Sequence, residues 1–372
     1  MHLHFFHKKV KDRNYGSINR EVIRKLKKDP LAIFSITIIG LFTTIAILGY
    51  TITPDKTPFS NQQYLEIAAQ KPLFKVDFLR YWEKNQKKEK TNFFKTLLFG
   101  RKNSYSSLPI SSFTIRNDSL IAEVFSPNKD DEKEYFFLDL RKNDYRIKKQ
   151  TYILGTDSYG RDMLSQLMIG TRVSLSVGII SIFISLIIGI SLGAIAAYYG
   201  KWVDNLIMWL INVVWSIPTI LLVIAITFAL GKGFWQVFLA VGLTMWVDVA
   251  RMTRGQILSL KEKEFVEAGK ALGFKDSRII IRHILPNIVG AISVITASNF
   301  ATAILQEAGL SFLGIGVQPP MPSWGGMIKE NYGYIILDSP YMAIIPGLAI
   351  MLLVTAFILL GSSLRKAMDV KD

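Results

Sequence analysis

Apolar runs of bilayer length, parted by charged loops, are the feature that most constrains this chain. Residues 31–52 carry no charge and are long enough to cross a hydrocarbon core. Comparable runs follow at 173–199, 206–230, 235–250, 288–305 and 341–360, of which 235–250 is charged only near its end, at Asp248. Half of the 372 residues are hydrophobic, yet 20% are charged, a mixture that suits membrane spans joined by charged loops and not one soluble core. An all-α polytopic protein with six transmembrane helices is the expectation. Pro218 removes a helix hydrogen bond and is expected to kink the third span.

Charge gives the orientation. Residues 1–30 are basic, with Lys8, Lys9, Arg24, Lys25, Lys27 and Lys28 among them, and basic residues mark cytoplasmic loops. The loop after the fourth span holds the second cluster, Arg254, Lys261, Lys263, Lys270, Lys275, Arg278 and Arg282. Four spans lie between the clusters, so they fall on one side. After the last span, residues 365–372 carry Arg365, Lys366 and Lys371 against Asp369 and Asp372, which returns the tail to the cytoplasm. The net charge of +15 thus reflects lipid topology, not nucleic acid. The first apolar run follows a long charged lead at full span length, so no cleavable signal peptide is expected. The chain has no cysteine, which excludes thiol chemistry and thiolate metal sites. His2, His4 and His7 have no supporting carboxylate and read as a frayed terminus.

Residues 54–153 differ in kind. They carry Lys and Arg freely, with basic runs at 84–90 and 101–102, and alternate apolar with polar at 113–125, 135–140 and 145–153. Such stretches, separated by Asn, Asp, Pro and Lys, predict a small inserted β-rich (α+β) domain. Its position after the first span makes it extracytoplasmic, since long loops cross largely regardless of charge.

The polar segment 262–287, EKEFVEAGKALGFKDSRIIIRHILPN, is wedged between two spans. Phe265, Ala268, Gly269 and Leu272 recur at steps of three and four and so share one side of a helix. Glu267 and Lys270 stand on the other. Gly273 breaks the helix, Asp276 or Ser277 can cap a second, and Pro286 sits near the start of the fifth span. A helix–Gly–helix elbow of this kind is a docking element or an amphipathic helix lying on lipid. At the end of the preceding span, Asp248 and Arg251 read as a boundary pair, with a proton relay as the sharper alternative.

Two stretches belong to the opposite side. In 154–165, LGTDSYGRDMLS, glycines allow a tight turn, and Asp157, Arg161 and Asp162 can pair or cap the next helix. After the fifth span, residues 306–325, QEAGLSFLGIGVQPPMPSWG, are too rich in Gly and Pro for a continuous helix. Glu307 there either lines a path or pairs with a neighbour, and Ser311, Pro319 and Trp324 are further candidates for the outer mouth.

Three strings carry a resemblance. Glu267-Ala268-Gly269, Gly273 and His283-Ile284-Leu285-Pro286 resemble the "EAA" loop of ABC importer permeases, with Gly269 where a second Ala is usual. The 154–165 string is similar to the approach to the second span of dipeptide and oligopeptide permeases, with Gln166 in place of an Arg, and 306–325 matches a third stretch of the same family. The resemblance covers the first span and 154–372. It implies a type I ABC importer fold and a C-type permease subunit of the bacterial cytoplasmic membrane, with both termini inside. It further implies a heterodimer with a B-type permease, two cytoplasmic ABC ATPase subunits and an extracytoplasmic substrate-binding protein. Under it, 262–283 is the coupling helix that a cytoplasmic ATPase grips, with Phe265, Glu267, Ala268, Gly269, Leu272, Gly273 and Pro286 as its residues. Peptides, nickel chelates and glutathione-like compounds all pass through permeases of this kind.

The chain holds no phosphate-binding loop, no Gly-x-Ser-x-Gly and no His-Glu-x-x-His. No catalytic, metal or cofactor residue is therefore expected, and ATP is expected to be bound by partner subunits. An ATPase-independent channel or ion-coupled carrier is the alternative from another class, and a surface-sensing role for the insertion is a third.

Overall fold

The computed structural model describes residues 15–84, 92–127, 132–231, 233–337 and 339–368. The histidine cluster, most of the 84–90 basic run, Lys232 and Lys371 lie outside the described residues.

The helices are α1 (Tyr15–Leu26), α2 (Pro30–Ile52), α3 (Phe93–Phe99), α4 (Met163–Tyr199), α5 (Lys201–Trp215), α6 (Thr219–Leu230), α7 (Phe234–Lys261), α8 (Glu264–Ala271), α9 (Asp276–Ile279), α10 (Leu285–Phe312), α11 (Trp324–Asn331) and α12 (Tyr341–Met368). A wider π turn, Ile280–Ile284, joins α9 to α10. Among the described residues four helices are long and apolar enough to cross a bilayer: α2, α4, the continuous run Asp276–Phe312 and α12. The pair α5 and α6 makes a fifth if counted as one span, bent by 91° at its break. Pro218 sits at that break and does more than kink the span, because a residue preceding proline is pushed out of the helical region. The expected fourth span is α7, 28 residues long but bearing Asp248, Arg251 and Arg254, and it is not among the apolar set.

One expectation about element ends fails, and one helix was not foreseen. The helix of the fifth span runs through Glu307, Ala308 and Gly309 to Phe312 and stops only at Gly314, where φ is +79°. The basic N-terminal segment also holds a helix, α1, which packs along α12.

Helices α4 and α7 form the most extensive helix pairing, and glycines let them approach. A Cβ on Gly189 would lie 2.7 Å from the Trp246 carbonyl oxygen, and one on Gly193 would lie 2.5 Å from that of Ala250. Helix α10 packs on α4, α7 and α12. Met163, Ile304, Trp324, Met342 and Leu353 bring α4, α10, α11 and α12 into one apolar core.

Between α2 and α4 in sequence lies a five-stranded antiparallel sheet, ordered β4-β3-β2-β1-β5, of β1 (Phe74–Glu83), β2 (Ser106–Arg116), β3 (Ser119–Val124), β4 (Tyr135–Asp139) and β5 (Asn143–Tyr152). The predicted 113–125 stretch is the β2–β3 hairpin, turned at Asn117 (φ 53°). Strand β1 alternates as Phe74-Lys75-Val76-Asp77-Phe78 and then puts apolar Leu79 on the other face, which breaks the pattern halfway along. Val76 and Phe78 pack with Ile67 and Tyr152, whereas Leu79 packs with Ile110 and Leu120.

Candidate functional site

The elbow between α7 and α10 has the helix–Gly–helix form its sequence predicts. Helix α8 ends in a Schellman motif: Phe274 N–H bonds the Gly269 carbonyl at 3.0 Å and Gly273 N–H bonds that of Lys270 at 2.9 Å. Gly273 supplies the required left-handed residue, at φ +71°. The end of α4 fixes this unit in place. Tyr198 Oη donates to Asp276 Oδ1 at 2.6 Å, and Lys261 Nζ donates to the Ala197 and Tyr198 carbonyls at 3.3 and 2.5 Å. Asp276 is therefore an anchor and not a cap; Lys275 stands at the start of α9 with no side-chain capping bond.

The faces of α8 differ from the sequence reading in one respect. Gly269 is buried with Val266, facing Phe274 and Ile279, while Phe265, Glu267, Ala268 and Leu272 are exposed. Phe265 and Leu272 are 39% and 72% exposed, which makes them an outward apolar strip on an otherwise charged segment. Val266, the residue that seats the helix, escaped the sequence reading because it breaks the step chosen through Phe265. Pro286 lies in the first turn of α10, just after the wide turn, where its missing N–H costs little. His283 stacks on Phe274 at 5.8 Å between ring centroids.

Charged pairs near the elbow are not those expected. Arg251 turns from Asp248 to Asn212 Oδ1, at 3.2 Å, and lies 4.1 Å over the Trp215 ring. Arg254 makes the bidentate pair, both nitrogens 2.6 Å from the Asp204 carboxylate, and ties α7 to α5.

A second region gathers the outer-mouth candidates. Asp157 Oδ1 accepts from Tyr159 N and Arg161 N, each at 2.9 Å, and its Oδ2 accepts from Arg161 Nε at 2.6 Å. Arg161 also pairs with Glu330 of α11 and reaches Asn61 Oδ1 at 3.3 Å. Burial works against the Arg161 charge, but the Asp157 and Glu330 carboxylates outweigh it and hold its pKa above the usual value. Asp162 caps α4, accepting from Ser165 N at 2.9 Å. Burial pushes its carboxyl up to about 6, against the hydrogen bonds from Ser165. Gln166 donates to the Phe59 and Ser60 carbonyls, in a segment where both residues have positive φ.

Arg161, Gln166, Ser311, Pro319, Lys329 and Glu330 line one cavity of about 360 Å³. Asp157 and Asp162 do not line it. Glu307 is fully buried; its Oε1 accepts from Ser311 Oγ at 2.7 Å, and Ser311 Oγ in turn accepts from Val317 N at 3.2 Å. Trp324 does not face the cavity, because its ring is fully buried, meets Phe42 edge-on and donates from Nε1 to the Leu167 carbonyl at 2.9 Å. Glu330 and Asn61 were not foreseen; they come from segments remote in sequence and carry no motif. No cluster of His, Asp and Glu suited to a metal ion occurs among the described residues.

Residues 189–370 match the model of the binding-protein-dependent transport system inner membrane component, and 17–72 match that of the N-terminal TM domain of oligopeptide transport permease C. Neither match reaches the sheet beyond residue 72. The glutathione transport system permease protein GsiD of Pectobacterium atrosepticum is 43% identical over 59% of this chain and 72% of its own length. The dipeptide transport system permease protein DppC of Alkalihalophilus pseudofirmus is 42% identical over 58% of this chain and 71% of its own. GsiD of Escherichia coli is 41% identical over 65% and 78%. An inward-facing MetNI methionine ABC transporter chain overlaps 56% of this chain and 98% of its own at 19% identity, with a TM-score of 0.46. The chain thus belongs to the inner-membrane components of binding-protein-dependent transport systems, the multi-pass permease subunits of ABC importers.

Proposed function

We propose that this chain is the C-type permease subunit of an importer of short peptides, crossing the membrane six times with both termini in the cytoplasm and the sheet domain outside. It forms the translocation path with a B-type permease. Two cytoplasmic ATPases bind and hydrolyse ATP, this chain needing no cofactor of its own, and an extracytoplasmic binding protein delivers the substrate. Transport proceeds by alternating access. Closure of the ATPases moves the elbow, and the spans re-orient to release substrate inward.

The observation that carries this reading is the exposed strip Phe265–Ala268–Leu272 on a helix anchored from behind by Val266, Tyr198 and Lys261. A rigidly held apolar strip beside charged residues fits a groove on a soluble partner, and rigid attachment lets a push reach α4, α7 and α10 together. Glu267→Lys or Ala268→Asp is expected to abolish uptake while the permease still inserts. Normal transport by a well-expressed variant contradicts the docking role.

For the substrate, relatives named for glutathione and for dipeptides are almost equally similar, and both names denote small peptides. Uptake by the reconstituted complex of di- and oligopeptides, against glutathione and nickel chelates, separates the choices. Co-purification of ATPase subunits separates this reading from a channel or an ion-coupled carrier.

A further inference from the structure

Helix α3 has an unusual surface. It reads Phe93-Phe94-Lys95-Thr96-Leu97-Leu98-Phe99, and Phe93, Phe94, Leu98 and Phe99 are each exposed by 61–69%. A seven-residue helix with four large apolar side chains turned outward does not belong in water.

Its position is fixed by Arg172, a half-buried residue of α4 with no acidic partner at salt-bridge distance among the described residues. The guanidinium donates to the α2 carbonyls of Ala46 and Ile47 at 2.5 and 3.0 Å, and to the α3 carbonyls of Leu97 and Leu98 at 2.7 and 3.1 Å. It also lies 4.7 Å over the Tyr50 ring. A basic side chain thereby satisfies carbonyls that the end of a short helix leaves open. Beyond α3, Gly100 at φ +74° tucks against Lys56 and Pro58, and Arg101 N donates to the Lys56 carbonyl at 2.7 Å.

These bonds set a depth. Ile47 lies five residues before the end of α2 at Ile52, which at 1.5 Å per residue is about 8 Å along the helix axis. An interfacial helix sits about 5–10 Å into the boundary between headgroups and acyl chains. The apolar face of α3 is continuous with Ile47, Leu48 and Ile52, which are also exposed on α2. Lys56, Lys95, Arg101 and Lys102 are exposed around it, and the sequence from 91 to 116 contains no acid. Apolar continuity and unopposed positive charge together fit a surface of anionic phospholipid.

We propose that α3 is an interfacial anchor, seating its aromatic face in the leaflet where α2 ends and its basic flanks on anionic headgroups, with Arg172 as the positioning residue. This rests on α2 being a membrane span. It gives the sheet domain a fixed height above the bilayer.

The absence of cysteine allows a direct test on the full chain. Single nitroxide labels are placed at Phe94→Cys, at Leu41→Cys in the middle of α2 and at the exposed sheet position Arg116→Cys. The proteins are reconstituted in phosphatidylcholine vesicles with and without phosphatidylglycerol. The ratio of collision with oxygen to collision with a nickel chelate reports depth. The expected ratio at 94 is severalfold above that at 116 and below that at 41, and it rises when phosphatidylglycerol is present. Arg172→Met is expected to make the 94 label more mobile and its ratio lower. A ratio at 94 equal to that at 116 overturns the anchor, as does a label shielded from both reagents, which means that protein covers the helix. Insensitivity to phosphatidylglycerol overturns the headgroup contact, and an unchanged 94 label in Arg172→Met overturns the role of Arg172. A watery label at 41 instead removes the span on which the inference rests.

Discussion

Replacing Arg161 with Met tests how the outer turn is held. Arg161 is 5% exposed and binds Asp157, Glu330 and Asn61, so one side chain joins the turn before α4, helix α11 and the segment after α2. Removing one member of a buried ion pair costs about 3–5 kcal/mol, because the other charge is left without a partner. Asp157 keeps its two backbone N–H bonds at 2.9 Å, which places the loss near the low end, about 3 kcal/mol. Glu330, with its side chain 24% exposed, reaches water and adds less than about 1 kcal/mol. Unfolding of the purified permease in detergent, followed by tryptophan fluorescence, measures the loss. In the double variant Arg161→Met with Asp157→Asn only the partly exposed Glu330 lacks its partner, so it is expected to recover about 1–2 kcal/mol of the loss. A single-variant loss below about 1 kcal/mol, or no recovery in the double variant, refutes the reasoning.

Three further outcomes follow from the same kind of argument. The Gly269→Ala variant is expected to be more stable by about 0.5–1 kcal/mol with transport retained, since a Cβ there lies 3.6 Å from Phe274 and 3.7 Å from Ile279, ordinary contact distances, and helix propensity improves; a lower melting temperature contradicts this. Gly193→Ala should destabilise by about 1–3 kcal/mol, because its Cβ meets the Ala250 carbonyl at 2.5 Å, whereas Gly255→Ala, with nothing within 4 Å, should not, and equal melting of the two refutes close α4–α7 packing. Asp162 takes up its proton more readily when folded, at about 6 against an ordinary 3.8, so the stability it contributes is fully present below about pH 4 and is lost as pH rises through 6, by about 3 kcal/mol in all. Unfolding at pH 4 to 7 is expected to lose that component in Asp162→Asn, and identical pH profiles contradict it.

What the sequence made legible was whatever depends on local chemistry. Gly273 announced the left-handed stop of α8, Asp162 the cap of α4, and the uncharged runs the apolar helices. Features that depend on distant partners were not legible. Val266 and Gly269 face inward because the end of α4, through Tyr198, holds both Asp276 of α9 and Lys261 of α7 on that side, and no spacing within 262–287 encodes this. Glu330 meets Arg161 across 169 residues of sequence, and Arg172 spends its donors on backbone carbonyls, which leave no trace in side-chain identity. Gln166, which departs from the family pattern, makes sense only beside the unusual backbone of Phe59 and Ser60. Strand β1 was missed because its alternation over 74–78 changes face at Leu79. The stretch after Leu305 looked too rich in glycine for a helix, yet Gly309 stays helical and only Gly314, at φ +79°, ends the run.

Under the proposed function a separate motor grips the elbow from inside the cell. Leu272, 72% exposed at the end of α8, offers a direct probe as the single thiol of Leu272→Cys. A membrane-impermeant maleimide is added to right-side-out and to inside-out vesicles, with and without the partner ATPases. Labelling is expected only in inside-out vesicles, with protection when the ATPases are bound. Labelling from the outer face, or equal labelling with and without the ATPases, contradicts it.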